Sequence, residues 1–223
     1  METQTQELLI RSLNAEQFQF PVHPLLMARK SPRAFADRPV EPEKLRSLLD
    51  AARWAPSASN TQPWRFIVAS KERPEEHRRM ANLLFEGNKV WAEKAPLLIL
   101  SAAQVNDASS GKTNRFALYD VGSATQNLLL QASALGLASH VMGGFHAEEA
   151  KATFNIPAEF EPAAVIAVGY QGETESLPRH LQEREMMPRV RKPLTEFVFG
   201  EIWGKPSPAL AVEQKEFHQS INN

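Results

Sequence analysis

"APSASNTQPWRF", residues 55–66, separates a stretch with helical spacing from one with strand composition. A plain connection needs one or two turn residues, whereas this one sets Ser57, Ala58, Ser59, Asn60, Thr61 and Gln62 between two prolines and then reaches Trp64. Small polar side chains followed abruptly by an aromatic describe a loop shaped to hold something. Upstream, "PEKLRSLLDAARWA" from Pro42 places Leu45, Leu48, Leu49 and Ala52 on one helical face, with proline at the start, where its missing N–H costs nothing. Downstream, "WRFIVAS" (64–70) reads as a strand, and "APLLILSAA" (95–103) as a second, apolar enough to be buried on both faces.

Further outward the alternation continues. "PEEHRRMANLLFEG" (74–87) opens with proline and acids and ends near a glycine, which predicts one helix between the two strands. "RFALYDVGSATQNLLLQASALGL" (115–137) is the longest helical pattern and predicts a central helix whose Gly122, Ser123 and Ala124 admit a close neighbour. A short strand (Ser139–Met142), a glycine pair, a helix (Ala147–Phe154) and the strand "AAVIAVGY" (163–170) follow. From Gln171 the chain is proline-rich and charged, and "PSPALAVEQKEFHQSINN" reads as an arm or tail. With no repeat and no linker, the expectation is a single α+β domain over residues 1–223, with a core of about 24–193 and a C-terminal arm of about 194–223.

The 223 residues, 43% of them hydrophobic, are enough to build a core. Lys+Arg at 25 against Asp+Glu at 26 leaves a formal charge of -1, no global field for nucleic acid or anionic lipid, so neither partner is expected. There are no cysteines, which excludes disulfides, thiolate nucleophiles and Cys-type metal sites and suits a reducing cytoplasm. "METQTQELLIRSLNAEQ" lacks the basic and apolar regions of a signal peptide, and no apolar run approaches the roughly 20 residues of a membrane span. A cytoplasmic protein is expected.

Four stretches carry chemistry. "ARKSPRAF" (28–35) sets Arg29, Lys30, Ser31 and Arg33 within five residues, and "PRVRKP" (188–193) adds Arg189, Arg191 and Lys192. Arginine forks and a serine hydroxyl match phosphate oxygens, although two solvated basic turns would read the same way. In "VMGGFH" (141–146), Gly143 and Gly144 follow a strand and precede a helix, so their backbone could approach a planar ligand or simply make a tight turn. "PSASNTQPW" (56–64) could likewise be a well-bonded turn.

Taken in order, Arg-x-Ser-x-Arg, Pro-Ser-x-x-Asn-x-Gln-Pro-Trp, a strand ending in Gly-Gly-Phe and a late Arg-x-Arg resemble the FMN-dependent nitroreductase family, from about Pro24 to Pro193. The resemblance implies a mixed, mainly antiparallel sheet flanked by helices, with terminal arms exchanged in a homodimer. It implies bound FMN, with NAD(P)H as a transient co-substrate delivering a hydride over it. Arg29, Lys30 and Ser31 would meet the FMN phosphate, with Arg189 and Arg191 closing over it. Arg33 would face flavin N1 and O2, and Asn88 the same pyrimidine edge. Pro56, Ser57, Ala58 and Asn60 would contact the flavin held mainly by the partner subunit, and the Gly143 and Gly144 backbone would face N5. Some members carry an acid where Gly143 stands, so their substrates do not transfer. The resemblance implies a small-molecule acceptor, a nitroaromatic, a quinone, an enone or a physiological compound unlike these, and the loop around 104–114 is expected to shape its pocket.

A flavin store or sensor without fast turnover is the alternative reading. A nucleotide hydrolase through "SSGKTNR" (109–115) lacks the first glycine of a Walker loop, since Asn106 stands there. The six histidines form no H-E-x-x-H pair and no metal is expected; there is also no G-x-S-x-G elbow.

Overall fold

The computed structural model describes residues 22–106 and 111–210. The chain divides into two compact units, Met1–Glu185 and Met186–Asn223, and Arg189 and Arg191 belong to the second. The N-terminal stretch, Ser109 and Ser110 of the Walker-like loop, and the tail beyond Leu210 lie outside the described residues.

The first unit is built on a four-stranded sheet of order β1-β2-β4-β3. Its strands are β1 (Trp64–Ser70), β2 (Leu97–Gln104), β3 (Ala138–Met142) and β4 (Phe160–Gly169). All three pairings are antiparallel, where the resemblance allowed a mixed sheet. The helices are α1 (Pro24–Ala28), α2 (Pro42–Arg53), α3 (Pro74–Ala81), α4 (Glu86–Ala92), α5 (Ala117–Ala134), α6 (Ala147–Phe154) and α7 (Arg179–Met186).

The central strands explain their own composition. Leu98 and Leu100 of β2 with Val165 and Ala167 of β4 face a core closed by α3, α4, α6 and α7. Leu97 and Ile99 with Ile166 and Val168 face the other core, closed by α2 and α5. Side chains alternate across a strand, so a strand covered on both faces must be apolar at successive positions. The result is a three-layer α/β/α sandwich around an antiparallel sheet.

One expected helix is two. The pattern from Pro74 to Gly87 breaks after Ala81, and α4 starts at Glu86. Between them Leu84 pairs with Phe145 in an isolated bridge, Phe85 N–H donates to Gly144 O at 3.1 Å, and His146 N–H to Leu83 O at 2.8 Å. Backbone groups committed to a neighbouring segment cannot also close helical turns. Helix α7 lies within the proline-rich, charged stretch that begins at Gln171. The described part of "SSGKTNR" folds back on the end of β2 through an Asn106–Thr113 bridge, and α5 begins only at Ala117.

Two further ties fix the approach to the site. Residues 34–36 run beside 170–172, with Ala36 N–H donating to Tyr170 O at 2.9 Å and Gly172 N–H to Ala34 O at 2.9 Å. A Cβ at Gly172 would stand 2.6 Å from the Phe35 carbonyl carbon, which is why the crossing needs glycine. At the start of α2, the Tyr170 hydroxyl donates to the Glu41 carboxylate at 2.7 Å and accepts from Lys44 Nζ at 2.7 Å, under the Arg38 guanidinium.

Candidate active site

The basic loop 29–33 runs beside β3. Arg29 Nη1 donates to Ser31 Oγ at 3.1 Å, which leaves the hydroxyl proton to donate elsewhere, while Lys30 and Ser31 are exposed. A cavity of about 220 Å³ lies between Arg29, Lys30 and Pro32 on one side and Gly136 to Ser139 on the other. Pro32 is buried, and its carbonyl accepts from His140 Nδ1 at 3.0 Å. Because a carbonyl only accepts, Nδ1 carries the proton. Burial pushes the His140 pKa below its ordinary value, outweighing the Pro32 bond that raises it, so the ring is neutral under the cations.

His140 packs against Trp91 with ring centroids 4.6 Å apart. Trp91 belongs to α4, one turn after Asn88, and Asn88 Nδ2 donates to Gly144 O at 3.0 Å. Asn88 and Gly144, 56 residues apart in sequence, are thus brought together, and the amide of Asn88 is fixed in rotation. Gly143 is exposed, with nothing within 4 Å of where a Cβ would stand, so its backbone is open to a planar group. Arg33 is half-buried beside Glu185 of α7, which no local pattern announced: 152 residues separate them. A contiguous set from Gly144 through Asn88, Trp91, His140 and Pro32 to Arg33 therefore lines the β3 edge.

Pro56, Ser57, Ala58 and Asn60 stand elsewhere, in the loop entering β1, at the opposite edge of the sheet. The loop is strained and braced. Ser59, Asn60 and Gln62 have φ of 51°, 54° and 47°, a left-handed backbone that non-glycine residues adopt at a cost. Gln62 N–H donates to Ser57 Oγ at 3.0 Å, and Ala58 N–H donates to Asp120 Oδ2 at 3.1 Å. Asp120 is buried on α5 and is not among the residues singled out from the sequence. Its signal was visible: an acid one position before Val121, on the stripe formed by Ala117, Val121, Ala124 and Leu128. Arg189 and Arg191 belong to the second unit, where Arg191 Nη1 donates to Val190 O at 2.9 Å; their role at a phosphate rests on the resemblance. A second cavity, of about 320 Å³, is lined by Thr61, Pro63, Gln104, Asn106 and residues 112–114, where the acceptor loop was expected.

The model of the Nitroreductase family matches residues 26–170, and the chain belongs to that family of oxidoreductases. A protein of Methanothermobacter thermautotrophicus, provisionally named an NADH dehydrogenase/NAD(P)H nitroreductase, is 33% identical over 154 residues, 66% of this chain and 76% of its own. A crystal structure of an oxidoreductase containing FMN superposes with a TM-score of 0.80 at 38% identity, covering 85% of this chain and 96% of that one. A nitroreductase family protein of Clostridium difficile 630 gives a TM-score of 0.62 at 31% identity, over 80% and 96% of the two chains.

Proposed function

We propose that this protein is a cytoplasmic FMN-dependent oxidoreductase that passes reducing equivalents from NAD(P)H to a small acceptor, such as a nitroaromatic, quinone or enone, by a ping-pong mechanism, and that it works as a homodimer. The observation that carries the reading is the division of the site between sheet edges. Arg29, Lys30, Ser31, Arg33, Asn88 and the glycine pair lie along the β3 edge, and the 56–60 loop lies at the β1 edge. With strands about 4.8 Å apart, the edges of a four-stranded sheet are about 14 Å apart, which favours a loop reaching the cofactor of a second copy over its own.

The residues present fit FMN by the chemistry of their donors. Ser31 and the cations of the 29–33 loop suit a phosphate, Arg33 suits the end of the ring where negative charge develops, and Gly143 leaves room for a flat face. Bound FMN would supply the two-electron chemistry, accepting a hydride and passing electrons on. The chain's own part is to bind, orient and leave one face open, and Asn88, held by Gly144, keeps its amide in a fixed plane. An apolar face supports the dimer: Phe116, Leu118 and Tyr119 at the start of α5 and Trp54 after α2 are exposed, beside the loop that Asp120 anchors. Among the described residues no helix is long and apolar enough to cross a membrane.

Purification tests the reading. The protein should be yellow, release FMN on heating and bleach within seconds on adding NADPH or NADH. A colourless protein that FMN cannot reconstitute overturns it, and yellow protein that bleaches only over hours supports a flavin store instead.

A further inference from the structure

One peptide unit in the basic loop is held from both sides. The Pro32 carbonyl accepts from His140 Nδ1 at 3.0 Å, while the N–H of the same peptide group, that of Arg33, lies 3.1 and 3.2 Å from Glu185 Oε1 and Oε2. Because the peptide group is planar and the proline ring fixes φ at Pro32, gripping carbonyl and amide fixes the chain direction into Arg33. The same carboxylate then stands 3.6 Å from Arg33 Nη1. The Glu185 side chain is 10% exposed and that of Arg33 24%, so this pair is shielded more than a surface ion pair.

Glu185 is poorly placed for its own helix. It occupies the last turn of α7, Arg179–Met186, where the helix dipole disfavours an acid. Its burial is offset by three interactions, all with Arg33. His140 is built for the other side: on β3, packed on Trp91 and kept neutral by burial, it donates without adding charge beneath the loop.

We propose that Glu185 and His140 clamp the Pro32–Arg33 peptide unit, and that Glu185 thereby sets both the position of the Arg33 guanidinium and the share of its positive charge that reaches the flavin ring. Glu185 is a positioning and tuning residue; nothing requires it to touch the cofactor. The inference rests on the reading that Arg33 faces the pyrimidine end of FMN.

Two substitutions separate the clamp from the charge. Glu185→Gln keeps an acceptor for the Arg33 N–H and removes the negative charge. Reduced FMN should then bind roughly three- to tenfold more tightly relative to oxidised FMN, a rise in midpoint potential of about 15–30 mV for a two-electron couple. Glu185→Ala removes the acceptor, and hydrogen exchange at the Arg33 amide in the cofactor-free protein should speed up tenfold or more while exchange in β2 and β4 stays as in the parent. A Glu185→Gln protein whose FMN potential equals the parent's overturns the proposal, as does unchanged Arg33 exchange in Glu185→Ala. If Glu185→Ala does not fold, the potential of Glu185→Gln decides alone. Failure of the parent to bind FMN overturns the functional reading itself and the tuning with it, whereas the exchange measurement, made without cofactor, still decides the clamp.

Discussion

Gly143 and Gly144 are adjacent and of one type, yet the structure gives them different constraints. A Cβ at Gly144 would stand 2.8 Å from Asn88 Nδ2 and 3.2 Å from Phe85 Cδ2, while at Gly143 it would meet nothing within 4 Å. Gly144→Ala should therefore displace the Asn88 amide and cost about 1–3 kcal/mol in urea unfolding, against less than about 0.5 kcal/mol for Gly143→Ala. With Arg33 at the proposed pyrimidine end of the flavin, Arg33→Met removes a charge that would interact more strongly with the reduced than with the oxidised ring. Two unit charges about 4 Å apart interact by roughly 4 kcal/mol at an effective dielectric of about 20. After solvent rearrangement, and with Glu185 opposing, about 1–3 kcal/mol remains, so a potentiometric titration should show the FMN midpoint lowered by roughly 20–65 mV. Three residues give stability a pH profile. Burial lowers the pKa of His77, whose Nε2 lies 2.8 Å from Ala95 O, and of His140, both below the ordinary 6.5. The unfolded chain binds these protons more readily, so their stabilisation is complete above about pH 6.5 and declines as pH falls below it. The Tyr170 hydrogen bond above all holds Glu41 down to about 2 from 4.5, so a second decline runs between those values. Urea midpoints measured from about pH 8 to 3 should show the first decline and the onset of the second, and replacing both histidines with glutamine should flatten the first.

At the scale of elements, the loop entering β1 combines strain with a remote anchor. Three left-handed non-glycine residues cost of order 1 kcal/mol or more each, and the buried Asp120 carboxylate holds the loop by the Ala58 N–H. Asp120→Ala should lower stability by about 1.5–3 kcal/mol, the usual worth of a hydrogen bond to a charged group, and weaken FMN binding further through the disordered loop. Denaturant titration and fluorescence-monitored FMN binding check the two effects, and an unchanged FMN affinity would detach this loop from the cofactor. Elements with strong local signals were legible before the structure: β1 over Trp64–Ser70 and α6 over Ala147–Phe154 have the bounds read from the sequence. The break at residues 82–85 was not, because Leu83 and Phe85 give their backbone groups to residues 144–146, a pairing no local pattern encodes.

At the scale of the molecule, the proposed homodimer would complete the proposed site. The exposed Phe116, Leu118 and Tyr119, with Trp54, are expected to lie within an interface burying about 2,000 Å² or more in total. Sedimentation at micromolar concentration should find the FMN-loaded protein dimeric, and Tyr119→Glu, which sets a charge on that face, should shift it towards monomer with loss of flavin. A flavin-replete monomer would count against both the dimer and the divided site. The sequence by itself determined the family, the α+β class, the two apolar central strands and the residue types of the basic loop, polar loop and glycine pair. Those are properties of composition, periodicity and short-range order, which a chain carries before it folds. Only the tertiary structure decided that Asn88 meets Gly144, that Asp120 anchors Ala58, and that His140 and Glu185 grip one peptide group from opposite sides. Each of these joins residues dozens to more than a hundred positions apart, and such pairs become neighbours only when helices pack on the two faces of the sheet and bring their few buried polar atoms to partners that offset the loss of water.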